Sequence, residues 1–333
     1  MTTPRVAERV RELLSALPRV EHALAYGSVV LRDASVSRSE RALDVLALVE
    51  DPLTWHAANM AQNPSHYAPQ MRAIGARGVV GVSRGLGCGT HYNARLADAS
   101  GRGYKYGVAS VEDVVRDLVR WEHMFVAGRM QKPHETVVES EALREARERN
   151  VRNAASAALL VLPETFTEFE FHRAVVRLSY DGDIRFLFAA EDEKKIERIA
   201  RSNGDAMRDM YADALREIGT GGDLEATTTN WSQNKSAAAL ERRLLALPAA
   251  VLTMIRSHLG LTAVDDSALA TAVREALKDD TERMSSLVKA CLRRIVRTSS
   301  LRQALSGLIS TSPAKTLAYV GAKFSKSARS RLE

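Results

Sequence analysis

His22-Ala23-Leu24-Ala25-Tyr26-Gly27-Ser28 decides the fold, together with the apolar run 42–49, which carries Asp44. The first run predicts a strand that ends in Gly27-Ser28, where small residues let the backbone approach a phosphate group closely. The second run predicts a neighbouring strand that presents a carboxylate, a ligand type that Mg²⁺ prefers. A carboxylate between apolar neighbours must be paired, coordinated or protonated, because burying a bare charge is costly. The pattern therefore predicts a site for a triphosphate and its metal ion.

The rest of the chain extends this pattern into a family resemblance. The matching segments, in chain order, are Asp51-Pro52, Trp55-His56, Asn59, Asn63, His66-Tyr67, Lys105-Tyr106-Gly107-Val108, Ala127 to Pro133, Leu162-Pro163-Glu164, Leu178-Ser179-Tyr180, Gly182-Asp183, Arg185, Ile295-Val296-Arg297, Ser299-Ser300 and Arg302-Gln303. Over about residues 23–310 the chain resembles the mitochondrial phosphatidate cytidylyltransferases, peripheral CDP-diacylglycerol synthases also called mitochondrial translocator assembly and maintenance proteins. The stretch from about 190 to 290 matches poorly. The opening strands also resemble nucleotidyltransferases of the polymerase-beta type.

This resemblance implies an Mg²⁺-dependent reaction of CTP with phosphatidate. The products would be pyrophosphate and CDP-diacylglycerol, which feeds phosphatidylglycerol and cardiolipin synthesis. It implies a peripheral enzyme on an anionic membrane surface: the matrix face of the mitochondrial inner membrane in a eukaryote, or the cytoplasmic face of the plasma membrane in a bacterium. Nucleic acid is not an expected partner. Two alternatives stay open: the same core acting on another acceptor, and a winged-helix nucleic-acid-binding protein with an inactive core.

The metal shell needs a second acid, because position 46, where the wider superfamily has a carboxylate, is Leu. Asp183 is the first choice, since it lies in a matched motif. Asp51 is the second choice, and capping the helix that follows it is an equally good role. A plain ion pair between Asp44 and Arg41 is the structural alternative to metal binding.

Cationic and polar side chains in the motifs are the candidate phosphate ligands. Lys105 lies in a strand pattern and could neutralise phosphate charge in the transition state. Arg129 and Lys132 would anchor the triphosphate of CTP or the phosphate of phosphatidate. His56 and Asn59 share one face of a predicted helix and could contact either the nucleotide or a neighbouring strand. The candidates for catalysis are Asp44, Lys105 and Asp183, and those for nucleotide and phosphate binding are Tyr26, Gly27, Ser28, His56, Asn59, Arg129, Lys132, Ser179 and Arg185.

The pattern along the chain predicts three parts. Residues 1–135 are typical of an α/β nucleotidyltransferase domain, residues 136–296 of a mostly helical, winged-helix-like domain, and residues 297–333 of a basic amphipathic tail. The predicted strands are 22–27, 43–49, 104–109 and a short piece at 185–189. The predicted helices are 111–121, 141–162, 167–177, 193–217, 236–258, 265–277 and 281–296.

Three local signals refine this division. Thr165 and Glu168 have capping-box spacing at the start of a helix. The glycine-rich residues 75–89 have little helical character, and residues 220–234 read as a loop.

The tail is the most basic part of the chain. Residues 293–333 contain nine Lys or Arg and one acid, so the preceding 292 residues carry a net charge of −2 within the total of +6. Apolar residues at helical spacing beside these charges predict a helix that lies in a membrane interface. The predicted membrane contacts are Leu301, Leu305, Leu308, Leu317, Val320 and Phe324. No apolar run approaches the roughly 18 to 20 residues of a membrane span.

Cysteines and the N-terminus add two expectations. Cys88 and Cys291 are the two cysteines of the chain, which favours a reducing compartment and no disulfide framework. Basic residues near the N-terminus would suit a mitochondrial presequence, but Glu8 and Glu12 among them do not. Residues 4–17 are therefore predicted to form an ordinary first helix.

Overall fold

Alternating apolar runs form a five-stranded sheet in the computed structural model, which describes residues 4–31, 42–98, 101–187, 194–220, 222–261 and 266–310. The strands of this sheet are β1 (His22–Tyr26), β2 (Leu43–Val49), β3 (His91–Ala97), β4 (Gly103–Ser110) and β5 (Glu135–Val138). The helices around it are α1 (Pro4–Ser15), α2 (Pro52–Gln62), α3 (Pro69–Gly85), α4 (Val111–Arg120) and α5 (Ala127–Met130). The predicted strands near 22–27, 43–49 and 104–109 are thus confirmed.

The second half is mostly helical. Its helices are α6 (Glu141–Val161), α7 (Glu168–Leu178), α8 (Ile184–Leu187), α9 (Lys195–Ser202), α10 (Gly204–Gly219), α11 (Ala237–Leu245), α12 (Ala249–His258), α13 (Asp266–Asp279) and α14 (Thr281–Ser310). Three short strands, β6 (Thr165–Phe166), β7 (Leu224–Ala226) and β8 (Trp231–Gln233), form a second sheet in the order β6-β8-β7. None of the described helices is both long and apolar enough to cross a membrane.

Strand register places the polar residues of the first sheet together. The order is β3-β4-β2-β1-β5, with β2 and β4 parallel and the other pairs antiparallel. Asp44 lies opposite Tyr26 on one side and Lys105 on the other. Because side chains alternate along a strand, Asp44 shares a face with Leu46, which packs in the core that includes α4 and α6. Val45 points to the other face, toward α1 and α2.

The predicted helices 193–217 and 236–258 are each divided into two, α9 with α10 and α11 with α12. Four other predictions of local structure are wrong, and the first concerns the glycine-rich segment. Residues 69–85 form helix α3, although Gly75 interrupts it with φ +65°. Each helical glycine costs about 1 kcal/mol relative to Ala. Burial of Met71 and Val79 in a cluster with Tyr67 offsets this cost.

The capping box lies two residues later than predicted. The Thr167 hydroxyl accepts from the Glu170 N–H, and the Glu170 carboxylate accepts from the Thr167 N–H at 2.8 Å. Thr165 and Glu168 have the same spacing, but Thr165 belongs to β6 and pairs with Ser232. Tertiary strand pairing therefore selects between two equivalent sequence signals.

Two further elements differ from their prediction. Residues 184–187 form the short helix α8 instead of a strand, while residues 188 and 189 lie outside the described part of the chain. The predicted loop 220–234 contains the hairpin of β7 and β8, closed by a turn in which the Thr227 N–H donates to the Asn230 carbonyl. Strands of three residues carry too little periodicity to be predicted.

Three buried histidines should make the fold sensitive to acid. Burial lowers the pKa of His22 and His91 to about 4 and that of His56 to about 3. The unfolded chain binds protons at these side chains near pH 6.5, so stability is complete above that pH and is lost as the pH falls toward 4. Shifts of this size correspond to roughly 3 to 5 kcal/mol each. Urea unfolding should therefore show a free energy of unfolding that drops by several kcal/mol between pH 7 and pH 4.5, and a flat profile would contradict this.

Candidate active site

An ion pair in the sheet forms the centre of the candidate site. Lys105 Nζ lies 3.4 Å from Asp44 Oδ1, and the two side chains are 40% and 18% exposed. Adjacent parallel strands supply the pair, so its geometry follows directly from the register. Arg41, the alternative partner of Asp44, lies outside the described residues.

The Gly27-Ser28 turn covers the second oxygen of the same carboxylate. Gly27 has φ +76° and begins a 3₁₀ turn. The Gly27 carbonyl accepts from the N–H groups of Val30 and Leu31. A Cβ atom built on Gly27 would lie 2.8 Å from Asp44 Oδ2. The turn and the carboxylate therefore approach each other as closely as a glycine allows, and they form one small polar cradle.

Replacing Gly27 with Ala should damage this cradle. The left-handed conformation costs a non-glycine residue roughly 1–2 kcal/mol, and the new methyl group must also displace the Asp44 carboxylate. Gly260→Ala is the matched control, because Gly260 has φ +73° and a methyl group there would meet no atom within 4 Å. We expect similar losses of melting temperature, but a loss of activity only for Gly27→Ala. Equal activity in both variants would contradict a role of the cradle.

A buried aspartate builds the turn that carries Arg129. The Asp117 carboxylate accepts from the backbone N–H groups of His123, Met124, Val126 and Ala127 at 2.8–3.1 Å. These bonds fix the start of α5. The Arg129 guanidinium then stacks 3.8 Å from the centre of the Phe125 ring.

Tyr92 is a neighbour of the site that the sequence did not reveal. Its hydroxyl lies 3.0 Å from the Tyr26 hydroxyl, and Arg129 lies 5.3 Å from the centre of the Tyr26 ring. Burial raises the pKa of both phenols, so both keep their protons. A Cβ atom on Gly107 would lie 2.7 Å from the Tyr92 ring, which explains the glycine in the Lys105-Tyr106-Gly107-Val108 motif. The two phenols share one hydrogen bond and thus retain one hydrogen for a ligand.

Lys132 is a buried cation without a carboxylate partner among the described residues. Its Nζ donates to the Ser179 hydroxyl at 2.6 Å and to the Gly128 carbonyl, and its side chain is nearly inaccessible. Burial is the main reason that its pKa falls to about 7, and the charges of Arg129, Lys195 and Arg185 lower it further. Such a convergence of cations is expected where an anion binds.

Asp183 and Arg185 form a second ion pair, in which both carboxylate oxygens are hydrogen-bonded. Both carboxylate oxygens of Asp183 accept from the Arg185 guanidinium at 2.5–3.0 Å. Burial opposes ionisation of Asp183, but these contacts outweigh it and hold the pKa below its usual range. Within the described ranges, no group of three His, Cys, Asp or Glu side chains could hold a metal ion. The contacts of Asp183 therefore indicate that it orients the Arg185 guanidinium, and they give no direct support to a role in metal binding.

His56 and Asn59 lie away from this cleft. Asn59 donates to the hydroxyls of Tyr67 and Tyr106, and His56 Nδ1 lies 2.8 Å from the Tyr67 hydroxyl. Tyr106 alternates with Lys105 along β4, so these contacts are on the opposite face of the sheet. Of the two predicted roles, contact with a neighbouring strand is the one that the structure supports. Helical spacing identified the shared face but not the side of the sheet.

Two further acidic or nucleophilic side chains, Asp51 and Cys88, have no catalytic role in this structure. Asp51 caps α2 by accepting from the N–H groups of Leu53 and Thr54, in agreement with its structural alternative. Burial raises the pKa of the Cys88 thiol to about 11, which does not suit a nucleophile.

The end of α14 presents an apolar surface. Leu301, Leu305 and Leu308 are 51%, 42% and 56% exposed, and Ile309 is similarly exposed. The same stretch of helix is held against the sheet domain, because Arg302 donates to the carbonyls of Arg84 and Gly85. Leu317, Val320 and Phe324 lie outside the described residues.

Comparisons with known proteins identify the family. The model of a family described as mitochondrial phosphatidate cytidylyltransferase matches residues 10–326. The chain is 32% identical over 326 residues to the mitochondrial phosphatidate cytidylyltransferase of Xenopus laevis, covering 96% of this chain and 94% of that protein. The Bos taurus protein of the same name is 32% identical, with 95% and 93% covered, and that of Schizosaccharomyces pombe is 30% identical, with 92% and 80% covered. This chain therefore belongs to the mitochondrial phosphatidate cytidylyltransferase family.

Proposed function

We propose that the chain is an Mg²⁺-dependent phosphatidate cytidylyltransferase, which joins CTP and phosphatidate into CDP-diacylglycerol and releases pyrophosphate. The observation that carries the proposal is one carboxylate, Asp44, under a Gly-Ser turn and paired with Lys105. Arg129, which lies over the neighbouring Tyr26 ring, connects this carboxylate to the cationic cluster around Lys132. This arrangement suits two phosphate-bearing substrates that meet in one cleft.

The donor set at Asp44 fits a magnesium ion. Mg²⁺ is commonly held by one or two carboxylates together with substrate phosphates, so a single carboxylate beside a triphosphate site is sufficient. Asp44 would hold the ion, which supplies charge neutralisation at the phosphates when bound. Asp44 Oδ1 lies 3.4 Å from Lys105 Nζ, and Oδ2 lies beneath Gly27.

The acceptor explains why the missing carboxylate at position 46 is tolerated. The phosphate monoester of phosphatidate has a second pKa near 6 and is therefore mostly dianionic at neutral pH. One of its oxygens attacks the α-phosphorus of CTP, the bond from that phosphorus to the bridging oxygen breaks, and pyrophosphate leaves. No proton has to be removed from the nucleophile, so the protein supplies mainly position and charge.

The residues of the cleft divide between the two substrates. We assign Gly27, Ser28, Tyr26 and Lys105 to the triphosphate, because they surround Asp44. The cluster of Lys132 with Ser179, Arg129 and Arg185 is assigned to the phosphate of phosphatidate, with Asp183 orienting Arg185.

The finer fold assignment belongs to the same proposal. We assign residues 1–135, whose sheet is completed by β5 up to Val138, to a polymerase-beta-type nucleotidyltransferase domain. We assign residues 136–296 to a winged-helix-like domain and residues 297–333, which begin within α14, to a membrane-association tail. The first assignment is supported by a carboxylate strand beside a Gly-Ser strand, and the second by helices α6 and α7 with the sheet β6-β8-β7. One hydrophobic core contains Leu24 of β1 and Val296 of α14, so the first two parts pack as a unit.

Reaction with a lipid requires contact with a membrane surface, for which the end of α14 is the candidate. Its exposed leucines and the basic tail fit a peripheral enzyme, on the matrix face of the inner membrane in a mitochondrion. The triple variant Leu301→Glu, Leu305→Glu, Leu308→Glu should lose flotation with vesicles that contain anionic lipid. Leu53→Glu, at an exposed leucine of α2, should float like the wild type. If the triple variant floats like the wild type, the end of α14 is not the membrane-binding surface.

The reaction itself is tested by release of pyrophosphate. The chain is incubated with Mg²⁺ and each of CTP, ATP, GTP and UTP, with vesicles that contain or lack phosphatidate. The proposal requires release that depends on CTP and on phosphatidate together. Release from CTP with an RNA or an alcohol, but not with phosphatidate, would instead support the alternative acceptor.

A further inference from the structure

A groove in the helical half of the chain is lined by arginines. It has a volume of about 460 Å³ between α6, α10 and α11, is open to solvent, and shares no residue with the cleft around Asp44. We call it the arginine groove. Its lining residues include Arg149, Arg152, Asn153, Glu217, Asp223, Arg242 and Arg243.

Acidic side chains compensate two of the four arginines. Arg242 lies 2.5 Å from Asp223, and Arg152 lies 3.7 Å from Glu217, a long and partly exposed pair. Arg149 has no acidic side chain within ion-pair distance among the described residues. Glu145 also lines the groove, so four arginines stand against three acids and the groove keeps a net charge of +1.

Arg243 is the most unusual of the four. It is only 5% exposed, and its guanidinium donates to the Gln233 side chain and to the carbonyls of Asp223 and Asn234, but to no carboxylate among the described residues. A buried guanidinium normally pairs with an anion, because removing its charge from water is costly.

Two buried donors at the groove also have no acceptor within the described ranges. Arg243 Nε and Asn153 Nδ2 make no hydrogen bond there, although both side chains are more than nine-tenths buried. Buried polar groups are satisfied in the great majority of cases, so an orphaned pair in one groove indicates a missing acceptor. A ligand oxygen between α6 and α11 would supply it after a small side-chain movement.

We propose that the arginine groove binds a phosphate group. Arginine is the side chain best suited to this task, since its planar fork donates two parallel hydrogen bonds to phosphate oxygens. The volume exceeds that of one phosphate and lies in the range of small-molecule pockets. The phosphate can belong to a free polyphosphate or to a lipid headgroup, and the experiment separates these two sources.

Titration calorimetry with inorganic pyrophosphate tests the groove without any need for turnover. Wild-type protein should show two classes of site, one in the cleft and one in the groove. The double variant Arg149→Ala, Arg152→Ala should lose one class, with affinity at least tenfold weaker, and keep the other. Arg144→Ala is the matched control, because Arg144 is an exposed arginine of α6 that pairs with Glu141 and is not part of the groove.

A second arm uses vesicles that contain phosphatidate. If pyrophosphate shows no groove site but the double variant binds these vesicles at least tenfold more weakly than Arg144→Ala, the phosphate is a lipid headgroup. If the double variant matches Arg144→Ala in both arms, with unchanged circular dichroism and melting temperature, the groove is not a phosphate site. If wild-type protein binds pyrophosphate only at the groove site and not in the cleft, the result counts against the proposed function but supports the proposal for the groove.

Discussion

Replacing Asp44 with Asn should reduce turnover by at least about 10³-fold while leaving the fold intact, since a lost metal contact removes several kcal/mol of transition-state stabilisation. The substitution keeps the size of the side chain, so the cradle under Gly27 stays filled. It removes the negative charge that would hold Mg²⁺ and that also faces Lys105 at 3.4 Å. Initial rates with CTP and phosphatidate vesicles, together with circular dichroism, measure the two effects separately.

Asp51→Asn provides the matched control for this experiment. Asp51 is the other acid considered for the metal, and its side chain caps α2. Asn is a comparably good N-cap residue, although its single acceptor oxygen cannot replace both Asp51 oxygens, which accept from Leu53 and Thr54. The same chemical change should therefore lower stability only slightly and leave turnover unchanged. A large loss of turnover in Asp51→Asn, with substantial activity left in Asp44→Asn, would reverse the assignment.

Replacing Lys132 with Met should stabilise the protein and weaken its binding of phosphatidate. The pKa of Lys132 is about 7 in the fold against 10.5 for a free side chain, a difference equivalent to about 5 kcal/mol. The unfolded chain binds the proton more tightly, so this contribution lowers stability below pH 7 and disappears as the pH rises toward 10. Met is apolar and of similar length, and the variant should lose this pH dependence.

The functional effect has the opposite sign. We expect the KM for phosphatidate to rise at least about 100-fold, because a charged hydrogen bond in a buried site contributes about 3 kcal/mol. Lys235→Met is the matched control: Lys235 is also partly buried, has a lowered pKa and donates to the Leu162 carbonyl, far along the chain from the cleft motifs. It should leave the KM unchanged. A destabilised Lys132→Met protein with normal KM would refute the proposed role.

The sequence predicted the strand residues of the candidate site, Asp44 and Lys105, better than the residues that surround them. Strand periodicity is strong around Asp44 and Lys105, and two strands in register place such residues together. Tyr92 lies on an edge strand with an irregular register, and no spacing rule connects it to Tyr26. No sequence pattern singles out Asp117, although its carboxylate orders the turn before Arg129 by accepting four backbone hydrogen bonds. Such contacts depend on how distant segments pack, which local patterns do not encode.

The wrong predictions have the same origin. Glycines argued against α3, but the burial of Met71 and Val79 outweighs their cost. The two roles left open for His56 and Asn59 are not a wrong prediction, but they have the same origin: helical spacing placed both on one face, yet it could not say that this face packs under the sheet, against Tyr106. Local propensity gives the elements, and tertiary packing decides between equivalent signals and between the two sides of a sheet.

Transfer of label from CTP into lipid tests the central claim most directly. The chain is incubated with Mg²⁺, phosphatidate vesicles and CTP labelled at the α-phosphorus, and the organic extract is examined for labelled CDP-diacylglycerol. The account predicts labelled lipid with the wild type and with Asp51→Asn, and none above background with Asp44→Asn. Equal labelling by Asp44→Asn, or no labelled lipid from the folded wild type, would contradict it.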